Sequence, residues 1–203
     1  MTAEPLDPDR AATKGEQTRQ AVLVAAIERF GRDGYRGASV ADITRDAGVG
    51  DTAAFAYFKN KEGLFLAAAD EDAAAVLRET MSSVLDHLDV DRWRQQVVES
   101  MVAALERHPL AKRLMGGLEP EAAPRLLQLP ALNEFRAVCA DLIRQDQRAG
   151  RARTDIDPVA IANALVSLTM SFVVVMIHFG PASADYAEDI ATLFRAAIDR
   201  PPA

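Results

Sequence analysis

Hydrophobic positions along the chain recur every three or four residues, which is the spacing of one face of an α-helix. The clearest case is the run Leu23, Ala26, Ile27 and Phe30. This run predicts an amphipathic helix that ends near Gly34. No stretch sustains the every-second-residue alternation of a half-buried strand. The pattern therefore predicts an all-α chain.

Capping residues and prolines set the boundaries of these helices. Thr13 and Glu16 form a capping box for the first helix, and Ser39, Asn60 and the pair Asp157-Pro158 are further start signals. The predicted helices after the first cover about 40–47, 51–58, 61–86, 91–107, 109–117, 121–128, 131–149, 158–179 and 183–200. We expect nine to ten helices, arranged as a flexible tail (1–12), a small N-terminal unit (13–60) and a larger helical body (61–203).

Residues 158–180 contain no Asp, Glu, Lys or Arg, and the stretch is long enough to cross a bilayer. Polar residues are nevertheless spread along it, and neither end carries the Trp or Tyr typical of a membrane interface. We therefore interpret it as a helix buried within the protein or between subunits, and we expect no membrane partner.

Composition and charge are those of a soluble globular protein. The chain has 203 residues and a formal charge of −7, of which residues 1–62 contribute only −1, from 9 basic and 10 acidic residues. This balance argues against a non-specific polyanion binder but leaves room for a small DNA-reading unit. The single cysteine, Cys139, excludes an intramolecular disulfide and suits the cytoplasm.

The two short helices at 40–47 and 51–58 have the pattern of a helix-turn-helix. In that motif a first helix braces a second, whose N-terminal half enters the major groove of DNA. The close approach of the helices requires a small residue and then a glycine at the turn, and Ala47 and Gly48 meet this requirement. We expect Ala54, Phe55 and Phe58 to form the packing face of the second helix.

The same residues resemble the tetracycline-repressor-like (TetR-type) regulators. These proteins share a turn that reads roughly A-G-V-S-x-x-T-L-Y-x-H/Y-F, and this chain has AGVGDTAAFAYF at 47–58, followed by KNKE. FGRDGYRGASV at 30–40 is similar to the exit of the family's first helix. The resemblance covers about residues 14–66, and it implies a DNA-binding three-helix unit followed by a helical ligand-binding and dimerisation domain.

Four positions depart from the family pattern, namely Gly50, Ala53, Ala54 and Phe55. The resemblance assigns phosphate contacts to hydroxyls at the first, second and fourth of them, and all three hydroxyls are missing here. Direct base recognition would therefore be limited, or assisted by DNA shape. For Arg45 and Lys61, a solvated surface charge is the alternative to a phosphate contact. The expected DNA contacts are Ser39, Thr44, Arg45, Gly50, Thr52, Ala53, Ala56, Tyr57 and Lys61.

The helical body is expected to bind a small molecule and a second copy of the chain. Apolar and methionine side chains are suited to lining a pocket. The pocket candidates are Trp93, Met101, Leu105, Leu114, Met115, Phe135, Cys139, Met170 and Val174. The resemblance implies that the last two helices pair across a two-fold axis, the alternative being that they form only intramolecular core. The interface candidates are Leu165, Leu168, Phe172, Val175, Met176, Phe179, Ile190, Leu193, Phe194, Ala197 and Ile198.

These patterns indicate a cytoplasmic transcriptional repressor, a homodimer that leaves a palindromic double-stranded DNA operator when an apolar effector binds. The sequence contains no phosphate-binding loop, dinucleotide fingerprint or nucleophile elbow, so we expect no enzymatic activity. His87, His108 and His178 do not have metal-site spacing, and neither a metal nor a cofactor is expected. The alternative function is a helical protein-interaction module without specific DNA binding.

Overall fold

A computed structural model describes residues 14–50, 52–89, 92–120, 123–180 and 185–199. Within these ranges the chain forms eight α-helices and two short 3₁₀ helices, and no named strand. The α-helices are α1 (Lys14–Gly37), α2 (Val40–Asp46), α3 (Lys61–Asp86), α4 (Trp93–Leu105), α5 (Pro109–Met115), α6 (Pro130–Arg148), α7 (Pro158–Phe179) and α8 (Asp185–Ile198). The 3₁₀ helices are Ala53–Ala56 and Ala123–Gln128. The all-α prediction is confirmed.

The chain divides into two compact units between Ala68 and Ala69. We call them the N-terminal unit and the helical body; α3 runs through the division. The predicted tail at 1–12 and the capping residue Thr13 lie outside the described residues, as do Ser183 and Arg200 at the predicted ends of the last helix. The cap at Asn60 is present, since its side-chain oxygen accepts the Gly63 N–H at 2.8 Å.

The N-terminal unit is built around an aromatic cluster. The Phe30 ring meets Phe65 edge-on at 5.1 Å and Tyr35 at 6.3 Å between centroids. Phe30, Ile43 and Leu64 are completely or almost completely buried, so α1, α2 and the start of α3 share one small core. Gly34 has φ 73° and ψ 173° and interrupts α1 where the sequence predicted its end, because a residue with a Cβ rarely adopts this conformation.

The second short helix is shorter and tighter than predicted. Only Ala53–Ala56 is helical, and its bonds are of the 3₁₀ type: the N–H of Ala53 donates to the Gly50 carbonyl at 2.8 Å and that of Phe55 to Thr52 at 3.1 Å. The predicted packing face is also wrong at one position. Ala54 and Phe58 are buried, but Phe55 is 54% exposed. A 3₁₀ helix advances 120° per residue rather than 100°, which changes the face each side chain occupies.

In the helical body, α6 and α4 both pack against α7. α8 packs against α4 and α7, and all four helices contribute to the same core. α7 begins at the predicted cap, where the Asp157 carboxylate accepts the N–H groups of Val159 and Ala160 at 3.2 Å. By length and composition alone α7 is apolar enough to cross a membrane. Its buried residues, among them Leu165, Val166 and Phe172, pack into the core of the body.

Candidate nucleic-acid interface and effector cavity

The brace helix of the motif is fixed at its start by Ser39. The Ser39 Oγ accepts the N–H of Asp42 at 3.1 Å and donates to the Asp42 carboxylate at 2.7 Å. Arg45 donates to the same carboxylate at 2.7 Å. The hydrogen bond from Ser39, followed by that from Arg45, lowers the pKa of Asp42. Asp42 is therefore an anion, and a phosphate that recruits Arg45 has to compete with it.

Gly48 makes the turn between the two helical elements. Its φ is 68°, while Ala47 before it is still right-handed helical. The N–H of Gly48 donates to Arg45 and that of Val49 to Thr44, at 3.1 and 3.0 Å, which closes the end of α2. This is the conformation that the sequence predicted for Gly48, and it directs the chain into the 3₁₀ helix that we call the recognition turn (Ala53–Ala56).

Replacing Gly48 with alanine is expected to lower the free energy of unfolding of the N-terminal unit by about 1–2 kcal/mol, because a Cβ at positive φ clashes with the following carbonyl. Gly50 is the matched control, since it has no positive φ and a Cβ there meets nothing within 4 Å. We expect Gly50→Ala to change stability by no more than about 0.5 kcal/mol. Urea unfolding followed by circular dichroism measures both; equal losses would contradict the assignment of the turn.

The recognition turn presents a small exposed surface that suits DNA. Gly50, Thr52, Ala56 and Tyr57 are exposed and Ala53 is half-buried, whereas Ala54 anchors the turn from below. Thr52 and Tyr57 bring hydroxyl groups to this surface, and the alanine methyls are of the size that contacts thymine methyl groups. The α-helical period predicts Phe55 on the packing face, but in the 3₁₀ helix its ring is exposed.

One predicted DNA contact is not retained. Thr44 is 0% exposed, and its hydroxyl donates to the carbonyls of Val40 and Ala41 at 3.1 and 3.0 Å. A hydroxyl bonded back to its own helix in the core has no route to a phosphate. Lys61 is half-buried with its Nζ 4.7 Å from the centroid of the Tyr35 ring, so a cation–π contact orients it.

The helical body contains a small apolar cavity of about 40 Å³. Its walls come from α3, α4, α5, the second 3₁₀ helix, the start of α6 and α7. The lining residues are Ala73, Val76, Leu77, Met101, Leu105, Ala111, Met115, Leu126, Leu129, Leu132 and Met170. Such a volume holds one or two waters rather than an organic molecule, so any larger ligand has to displace the walls. Three methionines among them favour such adaptation.

Four of the pocket candidates line this cavity, namely Met101, Leu105, Met115 and Met170. The others, Trp93, Leu114, Phe135, Cys139 and Val174, are not part of its lining. Trp93 is buried, and its indole N–H donates to Asp146 at 3.0 Å, so it belongs to a polar network rather than to the cavity. Burial raises the pKa of the Cys139 thiol to about 12, which makes it an unreactive core residue.

The interface candidates fall into three groups by exposure. Leu165, Phe172, Phe194 and Ile198 are buried in the body's own core, and Val175, Met176, Ile190 and Ala197 are half-buried. Leu168, Phe179 and Leu193 are exposed. Exposed Tyr186 on α8 was missed, since the sequence pattern followed only aliphatic and phenylalanine positions. The large apolar residues of α7 and α8 that remain exposed are Val159, Leu168, Phe179, Tyr186 and Leu193, and together we call them the open apolar face.

Comparisons with known proteins agree with this geometry. Residues 22–68 match the family model described as bacterial regulatory proteins, tetR family. The transcriptional repressor AcnR of Corynebacterium efficiens is 28% identical over 200 residues, covering 93% of this chain and 96% of AcnR. A TetR-family regulator from Cytophaga hutchinsonii superposes with a TM-score of 0.75 at 19% identity, covering 95% of this chain and all of that one. Bacillus subtilis FadR, solved with stearoyl-CoA, superposes at 0.66 and 15% identity, covering 86% and 96%.

A small braced turn with an exposed polar edge, followed by a separate helical body, defines a helix-turn-helix DNA-binding regulator. The family match falls on that turn and its supporting helices. Residues 22–68 carry the DNA-binding region of the tetR family of bacterial regulatory proteins, and the chain as a whole is similar to the transcriptional repressor AcnR.

Proposed function

We propose that the protein is a dimeric cytoplasmic repressor that binds a palindromic operator through its recognition turn and leaves it when a small apolar molecule occupies the cavity. The observation that carries the DNA-binding part is the exposed edge of Thr52, Ala56 and Tyr57 beside the Gly48 turn. A single turn of this size offers few contacts, so two copies on one rigid body are needed for useful affinity. We propose no enzymatic activity.

The apolar face of α7 and α8 supports the dimer. α7 contains no Asp, Glu, Lys or Arg, and Leu168 and Phe179 lie exposed on it, while Tyr186 and Leu193 lie exposed on α8. Large exposed apolar side chains on neighbouring helices are what an interaction site requires. A two-fold axis would bring this face against its own copy, and that arrangement places one recognition turn at each half of a palindrome.

The cavity supports an apolar effector. All of its lining side chains are apolar, so a charged or strongly polar ligand would lose hydration without compensation there. The stearoyl-CoA bound to the structurally similar Bacillus subtilis FadR is an amphiphile with a long apolar chain. Three residues of α3, namely Ala73, Val76 and Leu77, line the cavity. α3 begins at Lys61, close in sequence to the recognition turn, and is therefore the segment through which an effector in the cavity would act on DNA binding.

Removing the hydroxyls of Thr52 and Tyr57 tests the interface. The double variant Thr52→Val, Tyr57→Phe keeps the size of both side chains and is expected to weaken operator binding about 100-fold, at about 1.5 kcal/mol for each hydrogen bond to a charged phosphate. The operator is first recovered by selection from random duplexes, and affinity is then measured by fluorescence anisotropy at fixed salt. Thr154→Val, at an exposed site in the helical body, is the control and should bind normally.

The rival function, a protein-interaction module, predicts a different outcome. No palindrome would be recovered at moderate salt, and the double variant would bind random DNA as well as the wild type does. An undiminished affinity of the double variant for a recovered palindrome would instead place the interface elsewhere on the protein.

A further inference from the structure

His108 is held between two carboxylates of α3. Its Nδ1 lies 2.7 Å from Asp72 Oδ1, and its Nε2 lies 3.0 Å from Glu79 Oε1. Asp72 and Glu79 are seven residues apart on α3, so both face the turn between α4 and α5. Asp72 is 3% exposed, and its second oxygen accepts the N–H of Ala111 at 2.8 Å. We call these three side chains the histidine clamp.

Only a protonated ring satisfies both carboxylates of the clamp. A neutral imidazole has one N–H and one lone pair, so one carboxylate oxygen would face a lone pair at hydrogen-bond distance. With the proton on Nδ1, the Glu79 contact becomes repulsive. With the proton on Nε2, the repulsive contact falls on Asp72, where burial leaves no water to relieve it. The geometry therefore requires an imidazolium with two charge-assisted hydrogen bonds.

The charged groups around the clamp agree with this state. Glu79 also accepts a hydrogen bond from the Arg107 guanidinium at 2.6 Å. The nearby charges Glu106 and Lys112 bond to each other at 2.8 Å. Burial alone lowers the pKa of His108, but the hydrogen bonds to Asp72 and then Glu79 outweigh it and raise the pKa above 6.5. Arg107, followed by His108, lowers the pKa of Glu79 below 4.5.

These directions set the pH window of the clamp. Because the pKa of His108 is raised, its contribution is complete below 6.5 and disappears as the pH rises through the raised value. Because the pKa of Glu79 is lowered, its contribution is complete above 4.5 and disappears only as the pH falls through the lowered value. The clamp is therefore complete between pH 4.5 and 6.5 and weakens on the alkaline side.

The clamp lies directly behind one wall of the apolar cavity. Ala73, the neighbour of Asp72, lines the cavity, and so does Ala111, whose N–H is bonded to Asp72. Leu105, three residues before His108, lines it as well. Any ligand larger than the present 40 Å³ has to move such walls, and moving α5 away from α3 separates His108 and Ala111 from Asp72.

We infer that His108 is a proton-controlled latch on the effector cavity: the protonated clamp holds α5 against α3 and keeps the cavity at its small volume, and loss of the proton lets it widen. This regulation rests on the proposed effector site. By linkage, ligand entry releases a proton and is favoured at alkaline pH, because ligand and proton stabilise opposite states of the same wall. The proton on His108 thus opposes binding of the effector and favours the form with the small cavity.

The protonation state is tested without any ligand. We expect the His108 imidazole signal in a heteronuclear NMR titration of the full chain to have its midpoint above pH 6.5. Glu79→Gln should move that midpoint to lower pH, whereas Glu71→Gln, which alters an α3 carboxylate paired with Arg78 instead, should not. A midpoint at or below 6.5, or one that Glu79→Gln leaves unchanged, would overturn the latch.

The coupling is tested with Nile red, a neutral apolar dye. Wild-type protein should bind it several-fold more tightly at pH 8.5 than at pH 5.5. His108→Gln should remove this pH dependence, and His87→Gln, at an exposed site, should preserve it. An equal pH dependence in wild type and His108→Gln would refute the coupling. No uptake at either pH would refute the coupling and the proposed effector cavity together, while the NMR titration still decides the protonation state.

Discussion

Replacing Asp146 with alanine is expected to lower the free energy of unfolding of the helical body by about 3–5 kcal/mol, the cost of leaving a buried cation without its partner. Asp146, near the end of α6, is 2% exposed. One of its oxygens accepts from Trp93 Nε1 at 3.0 Å and Arg94 Nη2 at 3.1 Å. The other accepts two bonds from Arg151, at 3.0 and 2.7 Å.

The size of this loss follows from what the substitution leaves behind. Arg94 is buried, and its Nε already has no partner. Without Asp146, the one ion pair that the guanidinium keeps among the described residues is that with Asp199, at 3.0 Å, and the buried indole N–H of Trp93 loses its acceptor. Arg94 and Asp199 join α4 to the end of α8, where Ala152 and Asp199 also form an isolated β-bridge. The network therefore ties three separate segments to α4.

Asp141 provides the matched control. It lies on the same helix, is exposed, and forms an ion pair with Arg144 at 2.5 Å. An exposed pair of this kind contributes at most about 1 kcal/mol, so Asp141→Ala should have a small effect. Urea unfolding followed by the fluorescence of Trp93, the only tryptophan, measures both variants. If Asp146→Ala cost no more than Asp141→Ala, the network would carry no stability. Asp146→Asn, which keeps one acceptor, should fall between them.

Local signals were sufficient to predict most of the helix starts and the turn. Ser39, Asn60 and Asp157 all cap the helices at which the sequence placed them, and Gly48 has the positive φ that its position predicted. Each of these features depends on residues within a few positions of one another. The family resemblance added the function of the turn, which no local pattern carries by itself.

Two features that the sequence did not predict depend on residues far apart in the chain. Trp93 was taken as a pocket residue because its partner, Asp146, is 53 positions away. The histidine clamp has no signal in the sequence for the same reason, since Asp72 and His108 are separated by 36 positions. Two other errors are local. Phe55 is exposed rather than packed because it lies in a 3₁₀ helix, which has a different period from an α-helix. Thr44 is buried rather than exposed, and its hydroxyl donates to a carbonyl of its own helix.

Replacing Phe179 with glutamate is expected to convert the proposed dimer into a monomer of 22.0 kDa and to weaken binding to the full palindrome about 10²–10⁴-fold. Phe179, at the end of α7, is 71% exposed and leaves its surface free for a partner. A carboxylate there would be buried against an apolar face of the second copy, and two such charges would meet near the two-fold axis. The recognition turn itself is unchanged.

The loss is expected to follow from assembly rather than from unfolding. A monomer binds one half-site with its own weak affinity, so Phe179→Glu and wild type should bind an isolated half-site equally well. Leu193→Glu, on α8, should behave like Phe179→Glu, since both residues belong to the same open apolar face. Leu127→Glu introduces the same charge at an exposed leucine on the second 3₁₀ helix and should leave the dimer intact.

Light scattering during size-exclusion chromatography measures the mass, and anisotropy with full and half operators measures binding. A wild type that elutes as a monomer would remove the dimer from the proposal. A Phe179→Glu protein that stays dimeric would show that the partner covers another surface. If all three variants became monomeric, the effect would be one of added charge on the body, and the face of α7 and α8 would lose its special role. The two-fold axis lies on this face only if Phe179→Glu and Leu193→Glu are both monomers while Leu127→Glu remains a dimer.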